Sequence, residues 1–163
     1  IHMLLEHLPN VPHAEHFSCA QSMLKREFEA TKAELETVLT EVQAVLDAPD
    51  LGWIFGPDVL AEVPLVGDLP SLGGHRLAGV VDRLDVGAER VVAVDFKTNA
   101  VVPDRAGDTP VGILRQLGAY AEVLAQIYPD REIEVGVLWT ATATYMSIDH
   151  GLVMAALAST PPS

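Results

Sequence analysis

The sequence has little cysteine and little lysine: one Cys, Cys19, and three Lys in 163 residues. A single cysteine excludes an internal disulfide, a four-cysteine zinc site and a self-contained iron–sulfur cluster, and it favours a reducing compartment. No apolar run approaches the roughly 20 residues that cross a bilayer, and no secretory signal is visible. We therefore expect a cytoplasmic protein with no membrane partner.

The sequence lacks the motifs of two common enzyme classes, one that binds nucleotide phosphates and one that hydrolyses esters. The chain has neither G-x-x-x-x-G-K-[ST], which binds phosphates, nor G-x-S-x-G, which carries a nucleophilic serine. Charge is also one-sided, since 23 acidic residues against 10 basic ones give a net charge of −13. On bulk electrostatics alone, this charge argues against nucleic acid or an anionic membrane as a partner.

Length and composition favour one globular domain, with 49% hydrophobic and 20% charged residues. We predict a helical N-terminal part over residues 1–47 and an α/β core over residues 57–158, within a single domain spanning 1–163. Because the chain begins at Ile1 and not at Met, we expect it to be a fragment of a larger protein.

Periodicity predicts the elements of this domain. A short helix should end before Pro9, and a longer helical stretch from His13 to Asp47, which includes Phe28, should break near Thr31. Thr109 is the expected N-cap of a later helix, with Pro110 at its first position. The remaining predictions are a loop at 49–57, strands at 59–66, 77–86, 91–97, 132–140 and 144–148, and helices at 109–128 and 151–158.

The hairpin formed by residues 77–97 places three charges together. A four-residue loop at 87–90 sets a register in which Asp82 lies opposite Asp95 on one face. Lys97 follows Asp95 by two residues and therefore projects from the same face. Adjacent carboxylates repel unless a cation lies between them, and an all-oxygen site suits Mg²⁺ or Mn²⁺. The alternative is that Asp82 pairs with Arg83 or Arg76 while Lys97 points into solvent.

Three segments in order resemble the motifs of RecB-family nuclease domains, which belong to the PD-(D/E)xK superfamily. They are Gly79-Val-Val-Asp-Arg-Leu-Asp85, Val91-Val-Ala-Val-Asp-Phe-Lys-Thr-Asn99 and Gln116-Leu-Gly-Ala-Tyr120. The resemblance is greatest to the C-terminal nuclease domain of the bacterial helicase–nuclease subunit AddA. It implies a restriction-endonuclease-like fold, with a central mixed sheet flanked by helices.

The resemblance also implies roles for individual residues. Asp82 and Asp95 would hold the metal together with the backbone carbonyl of Phe96, and Lys97 would be catalytic. Gln116 and Tyr120, four residues apart on one helix face, would contact substrate or orient the lysine. Ordinary helix surface and core packing is the competing interpretation of this pair.

Two further residues match family positions near the N-terminus and on the first strand. His2 matches a helix histidine that supplies a metal ligand, although His2-Met3 is also what a cloning site would leave behind. His7, five residues later, should point elsewhere. Glu62 matches a glutamate on the first strand, and a solvated edge-strand glutamate is the plainer interpretation.

The implied activity is Mg²⁺- or Mn²⁺-dependent DNA cleavage, as the exonuclease of a helicase–nuclease complex that processes double-strand breaks in bacteria. A helicase in the same polypeptide would deliver single-stranded DNA, and an AddB-like subunit would be the partner. One alternative is a catalytically inactive nuclease-like module that makes structural or subunit contacts. Another is an unrelated α/β binding domain whose acidic residues are merely salt-bridged.

Overall fold

The computed structural model describes residues 1–27 and 31–159. Five helices and five strands make up most of this part of the chain, joined by short 3-10 turns. In chain order they are α1 (His2–His7), α2 (His16–Glu27), α3 (Lys32–Leu46), β1 (Leu60–Leu69), β2 (His75–Val86), β3 (Arg90–Lys97), α4 (Val111–Ile127), β4 (Glu132–Trp139), β5 (Thr144–Ile148) and α5 (His150–Ala158).

The strands form one mixed sheet in the order β1-β2-β3-β4-β5. All neighbouring strands are antiparallel except β3 and β4, which are parallel and connected through α4. The strand β1 pairs only with β2, so it is an edge strand, where Pro64 does least harm to the sheet. The expected mixed α/β fold is confirmed.

Each face of the sheet buries its own apolar cluster. On one face α4 and α5 pack over alternate residues of β3, including Val91 and Ala93. On the other face α1 and α3 pack over Val92, Val94 and Phe96. The sheet is therefore covered on both sides near β3, which explains why this strand is an almost unbroken apolar run. Over the described ranges, no helix combines the length and apolar character needed to cross a bilayer.

The predicted break in the helical stretch is confirmed at Thr31. Its side chain accepts a hydrogen bond from the Glu34 amide while the Glu34 carboxylate accepts one from the Thr31 amide, which is a capping box. Phe28 and the rest of 28–30 lie outside the described residues. The loop predicted at 49–57 is largely a 3-10 segment, Pro49–Phe55.

The helix α4 begins one residue later than predicted. Pro110, with ψ of 134°, occupies the N-cap position, and Val111 is the first helical residue. Thr109 is therefore not the cap. It is buried, and its hydroxyl lies 3.9 Å from the Met146 sulfur. The Thr109 side chain therefore packs against β5 and does not form the helix cap that the sequence had predicted.

The predicted hairpin register is confirmed from Val86–Val91 to Arg83–Val94. The ladder ends there, one residue short of the expected Asp82–Asp95 pair. Instead of a β2 backbone group, the Asp82 carboxylate accepts the hydrogen bond from the Phe96 amide, at 2.5 Å. The two strands thus separate where the charged residues begin.

Candidate active site

Lys97 and Asp95 lie together at the carboxyl end of β3. Lys97 Nζ is 2.5 Å from Asp95 Oδ2, and the two side chains are 22% and 5% exposed. The alternation of the strand places both on the α4 face, as their spacing predicted. An ammonium that touches a buried carboxylate and keeps one side open can reach a bound anion, so this lysine does not simply point into solvent.

A side chain of the helix α4 forms a hydrogen bond with this lysine. Lys97 Nζ donates to Gln116 Oε1 at 3.0 Å, and Gln116 Nε2 donates to the Tyr120 hydroxyl at 2.9 Å. The Tyr120 hydroxyl in turn donates to the Val80 carbonyl at 2.9 Å. The chain of hydrogen bonds runs from the site to the backbone of β2, so Gln116 and Tyr120 are placed to orient Lys97.

The backbone of Lys97 is also contacted by a residue that follows β4. The hydroxyl of Thr140, just after β4, lies 3.3 Å from the Lys97 carbonyl and donates to Glu41 Oε1 on α3 at 2.5 Å. Neither Thr140 nor Glu41 was identified from the sequence. Their separation of 99 residues means that no local pattern could have connected them.

Gly79 on β2 packs closely against the side chain of Tyr120. A Cβ added at Gly79 would lie 3.0 Å from Tyr120 Cε1 and 3.1 Å from its hydroxyl oxygen. A buried ring cannot move freely, so Gly79→Ala should displace Tyr120 and weaken its bonds to Gln116 and Val80. We expect a loss of about 1–2 kcal/mol in the free energy of unfolding, measured by chemical denaturation, because of overpacking and weakened hydrogen bonds.

A glycine in α4, the helix that carries Tyr120, provides the control for that change. Gly112 on α4 is exposed and a Cβ there would meet nothing within 4 Å. Gly112→Ala should therefore stabilise the protein by roughly 0.5–1 kcal/mol through its helix propensity. Equal effects of the two substitutions would contradict the close contact between Gly79 and Tyr120.

Asp82 lies where β2 separates from β3. Its Oδ2 accepts from the Phe96 amide, and its Oδ1 lies 3.8 Å from His2 Nε2. The carboxylate therefore faces the carboxyl end of β3 and not Arg76, which pairs with Asp68 at 3.6 Å. Arg83 points away from it, towards α1. Neither arginine forms the ion pair that the simpler interpretation required.

His2 is brought to the same place from the far end of the chain. Its Nε2 lies 3.1 Å from the Phe96 carbonyl oxygen, within hydrogen-bonding distance when Nε2 carries the proton. The ring is 45% exposed and packs against Phe96, with ring centroids 5.8 Å apart. His7 is on another side of α1, 3.8 Å from Glu6, as expected from its spacing.

The electrostatics of this cluster are unbalanced. The pKa of Asp82 is raised to about 6, chiefly by burial and with the nearby Asp95 carboxylate acting in the same direction, against the hydrogen bond from Phe96 and the influence of His2. Burial also raises the pKa of Asp95, although Lys97 opposes this effect. Two buried carboxyl groups with a single ammonium nearby, which contacts Asp95, favour uptake of a proton or a cation.

The donor atoms suit a hard divalent cation. His2 Nε2, Asp82 Oδ1 and the Phe96 carbonyl combine an imidazole nitrogen with two oxygens, which Mn²⁺ accepts readily and Mg²⁺ tolerates. Asp95 is turned towards Lys97. In the described ranges no three His, Cys, Asp or Glu side chains converge as a metal site. The residues fit such an ion by their chemistry, with a backbone carbonyl as the third donor.

Glu62 lies on β1 at the register position that faces Asp82, but it takes no part in the ladder. Its φ of 49° is in the left-handed region, which is unusual for glutamate and interrupts the pairing between Ala61–Arg83 and Val63–Val81. The half-buried carboxylate contributes negative charge near Asp82. It therefore borders the site without contacting the donors described above.

Comparison with known proteins identifies the family of this chain. The family model of the PD-(D/E)XK nuclease superfamily matches residues 2–160. No curated protein matches the sequence. A solved structure titled "Crystal structure of SSO0001" is 13% identical with a TM-score of 0.39, covering 95% of this chain and 71% of that one. Because the family model spans nearly the whole chain and includes every residue of the cluster, this protein belongs to the PD-(D/E)XK nuclease superfamily.

Proposed function

We propose that this chain is a metal-dependent deoxyribonuclease domain that hydrolyses phosphodiester bonds. The observation that carries the proposal is the Lys97 ammonium, 2.5 Å from Asp95 Oδ2 and 3.0 Å from Gln116 Oε1, beside the donor atoms of His2, Asp82 and Phe96. Membership of a nuclease superfamily supports the same chemistry. No residue of the cluster is a serine, cysteine or threonine nucleophile, so we expect no covalent intermediate.

Each side chain of the cluster has a separate task in this mechanism. Lys97 is held on two sides and donates its remaining N–H to the attacking water or to a phosphate oxygen, where it offsets developing negative charge. Asp95 holds the ammonium in place through their ion pair. Gln116 and Tyr120 fix the direction of the lysine side chain through their hydrogen bonds.

His2, Asp82 and the Phe96 carbonyl would hold the divalent ion, and Asp95 would complete the set through the carboxylate oxygen that Lys97 does not contact. Such an ion supplies a water of lowered pKa and offsets charge on the phosphodiester. Asp82 contributes a carboxylate whose pKa burial raises to about 6. A bound cation therefore favours the ionised form of Asp82, which burial disfavours in the metal-free protein.

The charge of the surface bears on how DNA reaches the site. Of the ten basic residues, five pair with carboxylates within the described part of the chain: Lys97 with Asp95 in the site, and on the surface Lys32 with Glu36, Arg76 with Asp68, Arg90 with Glu134 and Arg105 with Asp108. A surface with a net charge of −13 and this pairing should bind DNA weakly and with a strong dependence on salt.

We infer that DNA is delivered to this site by another part of a larger protein complex. The order of the three motifs, similar to that of RecB-family nucleases, supports attachment to a helicase, a partner subunit of the AddB type and a role in processing double-strand breaks. Weak binding of DNA by the acidic surface is consistent with such delivery. Mg²⁺ is the expected ion, with Mn²⁺ as a substitute.

The test is cleavage of end-labelled single-stranded and duplex DNA with Mg²⁺, with Mn²⁺ and with EDTA. We expect cleavage with either metal and none in EDTA. Asp95→Asn, purified in parallel, should be inactive and controls for contaminating nucleases. A folded wild-type protein that binds Mn²⁺ without cleaving DNA would instead be an inactive nuclease-like module, and one that binds no Mn²⁺ would be a member of the superfamily without a working metal site.

A further inference from the structure

The helix α1 is short, yet it carries His2 to the site. Six residues are too few for a helix to be stable in water by itself, and its N-cap, Ile1, forms no side-chain cap. Leu4 and Leu5 anchor it in the apolar cluster below β3. Apolar packing of this kind is non-directional, so it holds the helix against the sheet without defining its position along its own axis.

A directional contact is made by Arg83 of β2. Its Nη2 donates to the Leu5 carbonyl at 2.7 Å and to the Glu6 carbonyl at 3.3 Å. These carbonyls belong to the last turn of α1, where no intrahelical amide is available to them. The guanidinium interacts with the helix end both by hydrogen bonding and by its positive charge.

The burial of Arg83 is costly. The residue is 4% exposed, its Nε has no partner, and no ion pair joins it to a carboxylate within the described part of the chain. Burial lowers the pKa of the guanidinium, against the influence of Glu6, Glu62 and Asp82. A well-packed apolar side chain is often as stabilising as a buried charge, so stability alone is a weak reason for an arginine here.

Arg83 is also connected to His2 through aromatic rings. The guanidinium lies 5.2 Å from the centroid of Phe55, which is 6.1 Å from that of Phe96, and Phe96 is 5.8 Å from His2. Arg83 directly follows Asp82, and successive residues of a strand point to opposite faces. One stretch of β2 therefore supplies a carboxylate to the site and a guanidinium to the helix that carries the imidazole.

We propose that Arg83 is a positioning residue: by binding the Leu5 and Glu6 carbonyls it fixes α1 so that His2 Nε2 lies beside Asp82 and the Phe96 carbonyl. This rests on the proposed function, in which His2 is a metal ligand. The arginine touches neither the substrate nor the reacting atoms, and its effect on the site passes through His2.

The experiment is a double-mutant cycle on the 163-residue chain, with Mn²⁺ as the probe. Calorimetry measures the Mn²⁺ affinity of wild type, His2→Ala, Arg83→Lys and the double variant. Lysine keeps the charge, but its shorter side chain and tetrahedral ammonium do not reproduce the planar NH2 group that donates to both carbonyls. We expect each single variant to lose about tenfold in affinity, and the double variant to lose no more than His2→Ala alone.

A second measurement does not depend on metal. Hydrogen exchange of the α1 amides in the metal-free protein should speed up about tenfold in Arg83→Lys, while exchange in α4 stays unchanged. If Arg83→Lys folds poorly, Arg83→Met, which is of similar size, replaces it and should give the same increase in α1 exchange. Multiplicative losses of Mn²⁺ affinity in the cycle, or unchanged α1 exchange, would overturn the positioning role.

The two proposals fail in different ways. If wild type neither binds Mn²⁺ nor cleaves DNA, the proposed function fails and the positioning of a metal ligand fails with it, even if α1 exchange responds. If wild type is an active nuclease and Arg83→Lys retains full Mn²⁺ affinity, only the role of Arg83 is contradicted.

Discussion

Lys97→Ala should reduce metal-dependent DNA cleavage by on the order of 10²–10³-fold, since it removes a preorganised donor to the reacting phosphate. The same substitution should leave Mn²⁺ binding intact or strengthen it. Lys97 Nζ lies 2.5 Å from Asp95 Oδ2, so its removal frees a carboxylate oxygen that the ammonium occupies. It also removes a positive charge that repels a cation.

This opposite response of activity and binding distinguishes catalysis from folding. Both are measured on the same preparation, cleavage with labelled DNA and affinity by Mn²⁺ titration at a pH well above 6, where Asp82 is ionised. Lys25→Ala is the matched control, because Lys25 is exposed on α2 and the change in net charge is the same. A loss of Mn²⁺ binding in Lys97→Ala would contradict the arrangement proposed for Asp95.

Asp82→Asn should abolish cleavage and yet stabilise the metal-free protein at neutral pH. In the folded protein burial raises the pKa of Asp82 from its ordinary value of 3.8 to about 6. A difference of this size corresponds to about 2–3 kcal/mol in the free energy of unfolding. Asparagine keeps an oxygen that can accept from the Phe96 amide, so the hydrogen bond survives while the buried charge is removed.

The pH dependence of this effect has a defined sign. Well below pH 3.8, the ordinary pKa of the group, the carboxyl is protonated in both folded and unfolded chains, so wild type and Asp82→Asn should be equally stable. As pH rises towards 6 the unfolded chain releases its proton first, and wild type loses stability relative to the variant. Above pH 6 the difference should reach its full value and remain constant.

Denaturant unfolding in EDTA at several pH values measures this difference. Added Mn²⁺ should then restore wild type through preferential binding to the folded state and have little effect on Asp82→Asn. Asp85→Asn, three residues along β2, is the control for loss of an acidic charge on the same strand. A variant that is less stable than wild type at neutral pH would contradict the unfavourable burial of Asp82.

Much of this architecture was predictable because its determinants are local. Alternation and turn residues located the two strands of the central hairpin, and the four-residue loop set their register from Val86–Val91 to Arg83–Val94. The two-residue spacing of Asp95 and Lys97 placed both on one face, and the four-residue spacing of Gln116 and Tyr120 did so on α4.

The sequence by itself therefore determined most of the elements and the faces on which the charged residues of β3 and the polar residues of α4 lie, because strand and helix periods are properties of the backbone. Tertiary structure alone decided which distant groups meet: His2 beside Phe96, Thr140 beside Lys97, Arg83 beneath α1, and Tyr120 on Gly79. It also turned Asp82 towards the Phe96 amide, where a ladder pair with Asp95 was expected. Such contacts depend on how the layers pack and where the strands separate, and no local pattern encodes either.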